Sequence, residues 1–272
     1  MIRKNYHTHT SRCGHARGTD EEYVLAAIKA GIRVLGFSDH APYKEPFARE
    51  RMDYSQYEDY KRSICSLKEK YKDQITIYCG MEVECYPSQW EDLMRYRKEL
   101  DYCILGQHNL ELDSVSSYNC HDEEQLMRYV DRLELAARSH LCDYIAHPDV
   151  ILYSYPDIHD DAVHEAALRI ADISLRYDMP LELNLGGIVY GKMEFPTGSR
   201  YGYPTRAFFK VFAQKHCPII IGCDAHDPKV FNTDKYLDEA LGLVSDLDLN
   251  FRQNYDIIAH AGQHKNLITP IK

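Results

Sequence analysis

Seven short apolar runs recur along the chain, at residues 2–6, 34–38, 75–82, 102–105, 144–146, 181–184 and 219–223. They are mostly apolar and free of interior proline, which suits strands covered on both sides in a parallel sheet. Between them, apolar residues return every three or four positions. That spacing predicts helices over 19–31, from Ser55, from Ser88, and over 122–140, 160–177, 205–216 and 233–245. Thr19 opens T-D-E-E, Ser55 opens S-Q-Y-E and Ser88 opens S-Q-W-E. Each is a capping box, in which a hydroxyl and a Glu three residues on satisfy free N–H groups of a first turn. Gly31 supplies a stop.

Strand and helix therefore alternate about seven times, which implies a parallel α/β sheet with helices outside, doubly wound or closed as a barrel. No low-complexity linker and no internal repeat divides the 272 residues. One domain over 1–272 is expected. Segments 42–53 and 186–203 are long loops after strand ends, where α/β enzymes place their binding residues.

Composition narrows the partners. The formal net charge is −10 and no dense Lys/Arg cluster is present, which argues against a nucleic-acid groove. No run of about 18 apolar residues is long enough to span a membrane, and the first 15 residues hold no apolar signal segment. The nine cysteines are odd in number and lack C-x-x-C spacing, so they read as free thiols of a reducing cytoplasm. Tyrosine outnumbers phenylalanine 22 to 8, so some phenol hydroxyls are expected to line a polar cavity.

The polar positions change the picture more. His7 and His9 end the first run, Asp39 and His40 the second, Glu82 and Glu84 the third. His108 follows the fourth, His147 and Asp149 the fifth; Asn184 ends the sixth, Asp224 and His226 the seventh; His15 lies in the loop after the first. Parallel strands bring these ends to one face. Residues at i and i+2 point the same way, as in the pairs His7/His9, Glu82/Glu84 and Asp224/His226. A lone histidine is more often a satisfied polar residue than a ligand, and H-x-H alone says little. Polar groups at seven matched strand ends say a metal site. Nitrogen and carboxylate donors without paired thiolates suit Zn²⁺, Mn²⁺ or Fe²⁺. Roughly three protein ligands serve one catalytic zinc, so nine candidates point to two or three metals. His121, His140, His159, His164, His216, His260 and His264 lack this placement and read as surface or helix-end residues.

The segments HTHTSRCGHA (7–16), FSDHAP (37–42), GMEVE (80–84), GQHNL (106–110), IAHPDV (145–150), LELNLGGI (181–188) and GCDAHDP (222–228) span nearly the whole chain in order. Together they resemble the PHP (polymerase and histidinol phosphatase) family, and within it the stand-alone histidinol-phosphatases. The resemblance implies a distorted (β/α)₇ barrel with three divalent metals. One would be held by His7, His9, Glu82 and Asp224. A second would share Glu82 and add His108 and His147, and the third would take His15, His40 and His226. Asp39 is implied as a catalytic group that handles protons or orients a ligand, and Glu84 as an orienting carboxylate.

Three positions depart from the family pattern. Tyr6 stands where relatives have Asp or Ser, Gln107 where they have Ser, and Val189 where similar phosphatases carry Arg. Lys192 or Arg200 would then grip phosphate, with Arg51 and Arg17 as further candidates, and Asp39, Glu84 or Glu111 would meet a substrate amine. The implied activity is hydrolysis of L-histidinol phosphate to L-histidinol and phosphate, a step of histidine biosynthesis, by a metal-bridging hydroxide attacking phosphorus in line. The alternatives are a PHP phosphoesterase acting on a nucleotide or another small phosphomonoester, and a non-catalytic metal-binding module.

Overall fold

The computed structural model describes residues 2–44, 50–112 and 116–269. Strands β1 (Lys4–Asn5), β2 (Val34–Phe37), β3 (Thr76–Val83) and β4 (Tyr102–Leu105) pair in parallel, in that order. Parallel bridges from Leu105 to Ile145, and from Ile145 to Leu181, carry the sheet on to β5 (Leu181–Asn184). A polar antiparallel hairpin, β6 (Lys192–Phe195) and β7 (Gly198–Tyr201), stands apart from this sheet. The chain then returns in β8 (Pro218–Gly222), parallel to β5 and flanked by the short β9 (Asn250–Phe251).

A bridge between Thr8 and Ala225 closes the ring. His9 N–H donates to the Ala225 carbonyl at 3.0 Å, and Ala225 N–H to the His7 carbonyl at 3.2 Å. The fold is a distorted (β/α)₇ barrel. The distortion sits where the ligand motifs are: β1 is two residues rather than the five expected, and the run at 144–146 narrows to the bridges of Ile145.

The helices are α1 (Asp20–Lys29), α2 (Tyr57–Lys70), α3 (Trp90–Glu99), α4 (Glu123–Arg138), α5 (Asp161–Arg176), α6 (Gly186–Val189), α7 (Arg206–Gln214), α8 (Lys235–Leu243) and α9 (Ile257–His264). The capping box at Thr19 forms with Glu22 as predicted. Those at Ser55 and Ser88 do not. Gln56 reaches back to the Asp53 N–H, and a 3₁₀ turn over Tyr54–Gln56 delays α2 to Tyr57. Pro87 opens a second 3₁₀ turn, so α3 starts at Trp90. None of the described helices is long and apolar enough to cross a membrane.

Apolar side chains pack in two layers. The larger lies between sheet and helices. The smaller fills the barrel with Tyr6, Tyr102, Ile104, Tyr144 and Ile220, and α9 plugs the end opposite the ligand motifs with Ile257 and Ala261. Several of the many tyrosines are thus core residues rather than cavity lining. The Tyr102 hydroxyl donates to the carbonyls of Tyr6 and Phe37, which satisfies a polar tip inside an apolar barrel. Tyr6 itself turns inward to the Tyr255 carbonyl.

Candidate metal centre

Strand ends aim the nine predicted ligands at one another. Glu82, the last inward residue of β3, lies at the middle. Its Oε2 is 3.0 Å from His40 Nδ1 and 3.4 Å from Nε2 of both His7 and His9. Its Oε1 is 2.9 Å from His147 Nε2 and 3.6 Å from His108 Nε2. Gly106 on the neighbouring segment makes room, since a Cβ there would sit 1.8 Å from Glu82 Oε1. Asp224 Oδ1 lies 3.0 Å from His9 Nε2 and 3.4 Å from His7 Nε2. His15, His40 and His226 form a rim nearer solvent, with the His15 and His226 ring centroids 4.6 Å apart.

His147 and Asp224 adopt left-handed backbone angles, φ +29° and +47°. Residues with a Cβ hold that conformation at a cost and tend to do so at functional sites. Nδ1 of His15 bonds the Cys13 carbonyl and Nδ1 of His226 the Asp224 carbonyl, both at 3.1 Å, which leaves each Nε2 facing the cluster.

The inward atoms are unsatisfied. His7 Nε2, His9 Nε2, His226 Nε2 and Glu82 Oε2 are buried without a hydrogen-bond partner. Buried polar atoms are normally paired. A group of them converging from different strands fits a set of divalent cations. The charges fit too. Burial lowers the pKa of His7 and His9, but Glu182, Asp224, Asp39 and Glu82 outweigh it, leaving His7 well above its ordinary value and His9 at about 9. Burial and the neighbouring His9 push His226 down to about 3 and His40 well below normal, and burial takes His108 to about 4. Against burial, the surrounding histidines hold Glu82 and Asp224 well below the usual carboxylate range. Protons on some histidines balance the carboxylates, and a cation can replace them.

A family model of the PHP domain matches residues 5–185. The chain belongs to the PHP family. It is 29% identical over 235 residues to a protein of Deinococcus radiodurans named "Probable histidinol-phosphatase", covering 82% of this chain and 85% of that one. It is 33% identical over 137 residues to the histidinol-phosphatase of Bacillus subtilis, covering 46% and 50%. The fold is similar to that of a histidinol phosphate phosphatase from Lactococcus lactis, solved with zinc, L-histidinol and phosphate. That match has a TM-score of 0.66 at 15% identity, over 92% of this chain and 95% of that one.

Around the PHP centre lies a layer of supporting groups, one of which sequence reasoning missed. Glu182, buried on β5, places Oε1 and Oε2 at 3.0 and 3.1 Å from His7 Nδ1. The signal was available: Glu182 and Asn184 have the i, i+2 spacing used for the other pairs, inside an otherwise apolar strand. Asp39 lies behind the cluster. Its carboxylate accepts the Thr10 hydroxyl and the His40 N–H and lies 3.6 Å from His9 Nδ1, on the far side of His9 from the cluster. That nitrogen is opposite the one facing Glu82 and Asp224, which accords with the ligand-orienting role expected of Asp39. Asp149 also turns aside, to the backbone and hydroxyl of Thr205, and burial lifts it to about 6. Glu84 accepts the N–H groups of His108 and Asn109, both at 2.9 Å, and so shapes the turn that presents His108.

The predicted phosphate-gripping cations are mostly committed elsewhere. Arg51 is spent on Glu84 at 2.6 Å and on the Ala41 carbonyl. Arg200 donates to the carbonyls of Leu152, Tyr155, Tyr201 and Gly202 and stacks 3.6 Å from the Phe195 ring. Lys192 lies over Tyr201 on the exposed hairpin. Arg17 is exposed, and its backbone N–H holds the His226 carbonyl at 2.8 Å, which keeps it beside the cluster. Glu111 pairs with Arg128 at 2.6 Å, and Glu84 with Arg51, so both carboxylates expected to meet an amine already have a cationic partner in the chain. Gln107 locks its turn by accepting the Cys85 N–H and donating to the Asn109 carbonyl.

Aromatic side chains flank His108 and His147. Tyr118 lies parallel to His108 at 6.0 Å, Tyr153 meets Tyr118 edge-on at 5.1 Å, and Tyr203 is 5.7 Å from His147. They come from three separate loops, so no spacing in the sequence marks them as a group.

Proposed function

We propose that this chain is a metal-dependent histidinol-phosphatase, releasing phosphate from L-histidinol phosphate. The observation that carries this is Glu82, with one carboxylate oxygen facing His7, His9 and His40 and the other facing His108 and His147. The names of the relatives from two bacteria support the substrate.

In this reading three divalent cations, of zinc, manganese or iron, are held by His7, His9, Glu82 and Asp224; by Glu82, His108 and His147; and by His15, His40 and His226. Cations so placed supply an acidified water and positive charge for phosphoryl oxygens. The chain's own residues do the rest. Glu82 keeps two ligand sets in register. The buried floor of Tyr144 and Glu182 keeps bulk water out from below. Arg17 meets phosphoryl oxygens at the open rim, where a guanidinium forks onto two of them. The faces of Tyr118 and Tyr153 receive the cationic amino-alcohol part, for which aromatic faces are suited. Nine free cysteines accord with a reducing, cytoplasmic setting.

The test is phosphate release by metal-loaded protein from L-histidinol phosphate, nucleoside monophosphates and sugar phosphates. Preference for L-histidinol phosphate is expected. Turnover of the others alone would overturn the substrate, and turnover of none would overturn the enzyme.

A further inference from the structure

The Glu182 carboxylate sits one step behind the proposed metal ligands and gathers four donors from three parts of the barrel. His7 Nδ1 approaches from β1, at 3.0 and 3.1 Å. The His147 N–H donates at 3.1 Å from the next strand position, Asn184 Nδ2 at 2.6 Å from the same strand, and the Tyr144 hydroxyl at 3.3 Å from below. The backbone leaves a notch for it. Gly222 pairs with Asn184 across the β5–β8 ladder, and a Cβ at 222 would fall 1.7 Å from Glu182 Oε1.

A carboxylate only accepts, so in the neutral His7 ring, the form that can bind a cation, the hydrogen lies on Nδ1 and the lone pair on Nε2. That lone pair points at Glu82 and Asp224, 3.4 Å from an oxygen of each. The same carboxylate holds the backbone of His147, whose left-handed turn aims a second ring at Glu82.

We propose that Glu182 is the positioning residue of the metal centre, fixing the tautomer of His7 and the placement of His147, and that Gly222 is glycine to admit it. This rests on the metal centre proposed above. Carboxylates that hold ligand histidines this way typically change metal affinity by about 10–100-fold when replaced.

The substitution Glu182→Gln keeps size and burial. Its amide can donate to His7 Nδ1, which moves the ring hydrogen to Nε2, into the cation position. Three measurements separate positioning from mere packing. Zinc affinity by chelator competition should fall by about 10–100-fold. Ring-nitrogen NMR of the metal-free protein, recorded above the raised pKa of His7 so that the ring is neutral, should show His7 changing tautomer. Gly222→Ala, which displaces the carboxylate without altering it, should lower zinc affinity similarly. Loss of thermal stability in Glu182→Gln with wild-type zinc affinity and an unchanged His7 tautomer would overturn the proposal and leave the enzyme reading intact. A wild-type protein that binds no divalent metal would overturn both.

Discussion

The barrel buries charge at both ends, and the two ends handle it differently. At the plugged end Arg97, fully buried, donates to both oxygens of Asp143 at 2.5 and 2.8 Å and to the His140 carbonyl. Asp143 also accepts the Cys103 N–H, and His260 of α9 reaches it at 3.3 Å while donating to the Asp178 carbonyl. His260, read from the sequence as a surface or helix-end residue, is therefore a buried clamp. Among the described residues, neither Arg97 nor Asp143 keeps a buried side-chain nitrogen or oxygen without a partner. At the open end Glu82, Asp224 and seven histidines are as crowded, yet several inward atoms have no partner. A satisfied buried network closes a structure. An unsatisfied one is a place for a ligand.

The difference can be broken most severely at Asp224. Asp224→Ala should cut phosphate release by about 10³-fold or more, since loss of one transition-state contact already acts on that scale, while the protein stays folded by circular dichroism. Unchanged rates would remove Asp224 from the centre. Arg97→Ala should do the opposite. It strands Asp143 in the interior and should cost about 3–5 kcal/mol of stability, roughly a 10 °C drop in melting temperature, with zinc affinity unchanged. A loss of metal with little loss of stability would collapse the distinction.

pH sharpens it further. In metal-free protein, His9 at about 9 and the raised His7 stabilise the fold below the ordinary histidine value of 6.5, and that contribution fades as pH rises through about 9. The depressed His108 and His226 act in the other direction, withdrawing stability as pH falls from 6.5 toward about 4 and 3. Melting of the metal-free protein should therefore peak near neutrality. Zinc should release protons into weakly buffered solution and abolish the alkaline decline. A flat melting profile without metal would contradict the charge balance. The smallest effect is expected at the aromatic rim. Tyr118→Leu should raise KM for L-histidinol phosphate several-fold, the scale of a contact worth about 0.5–2 kcal/mol, and leave zinc affinity alone.

Much of the open end was legible in the sequence because strand ends are local features and parallel topology brings them together without further information. His7, Glu82, His147 and Asp224 needed only their places after apolar runs. What was illegible depends on partners distant in the chain. That Arg51 and Arg200 are committed follows from Glu84 and from carbonyls 45 and 48 residues before Arg200. That α9 plugs the barrel follows from an interior of tyrosines no periodicity reveals. The polar hairpin of β6 and β7 was lost in a stretch read as loop. Ser55 and Ser88 carried the right capping letters two positions and one position too late, because Asp53 and Pro87 act first.

The bridge between Thr8 and Ala225 has a consequence for how the molecule is made. The first ligands synthesised, His7 and His9, stay without Asp224 until more than 200 further residues have been added, which at about 5–20 residues per second takes tens of seconds. A nascent chain can offer the early histidines only as scattered, weak donors. The complete set comes into being only when Asp224 and His226 join the ring, so a product truncated before them carries no assembled centre.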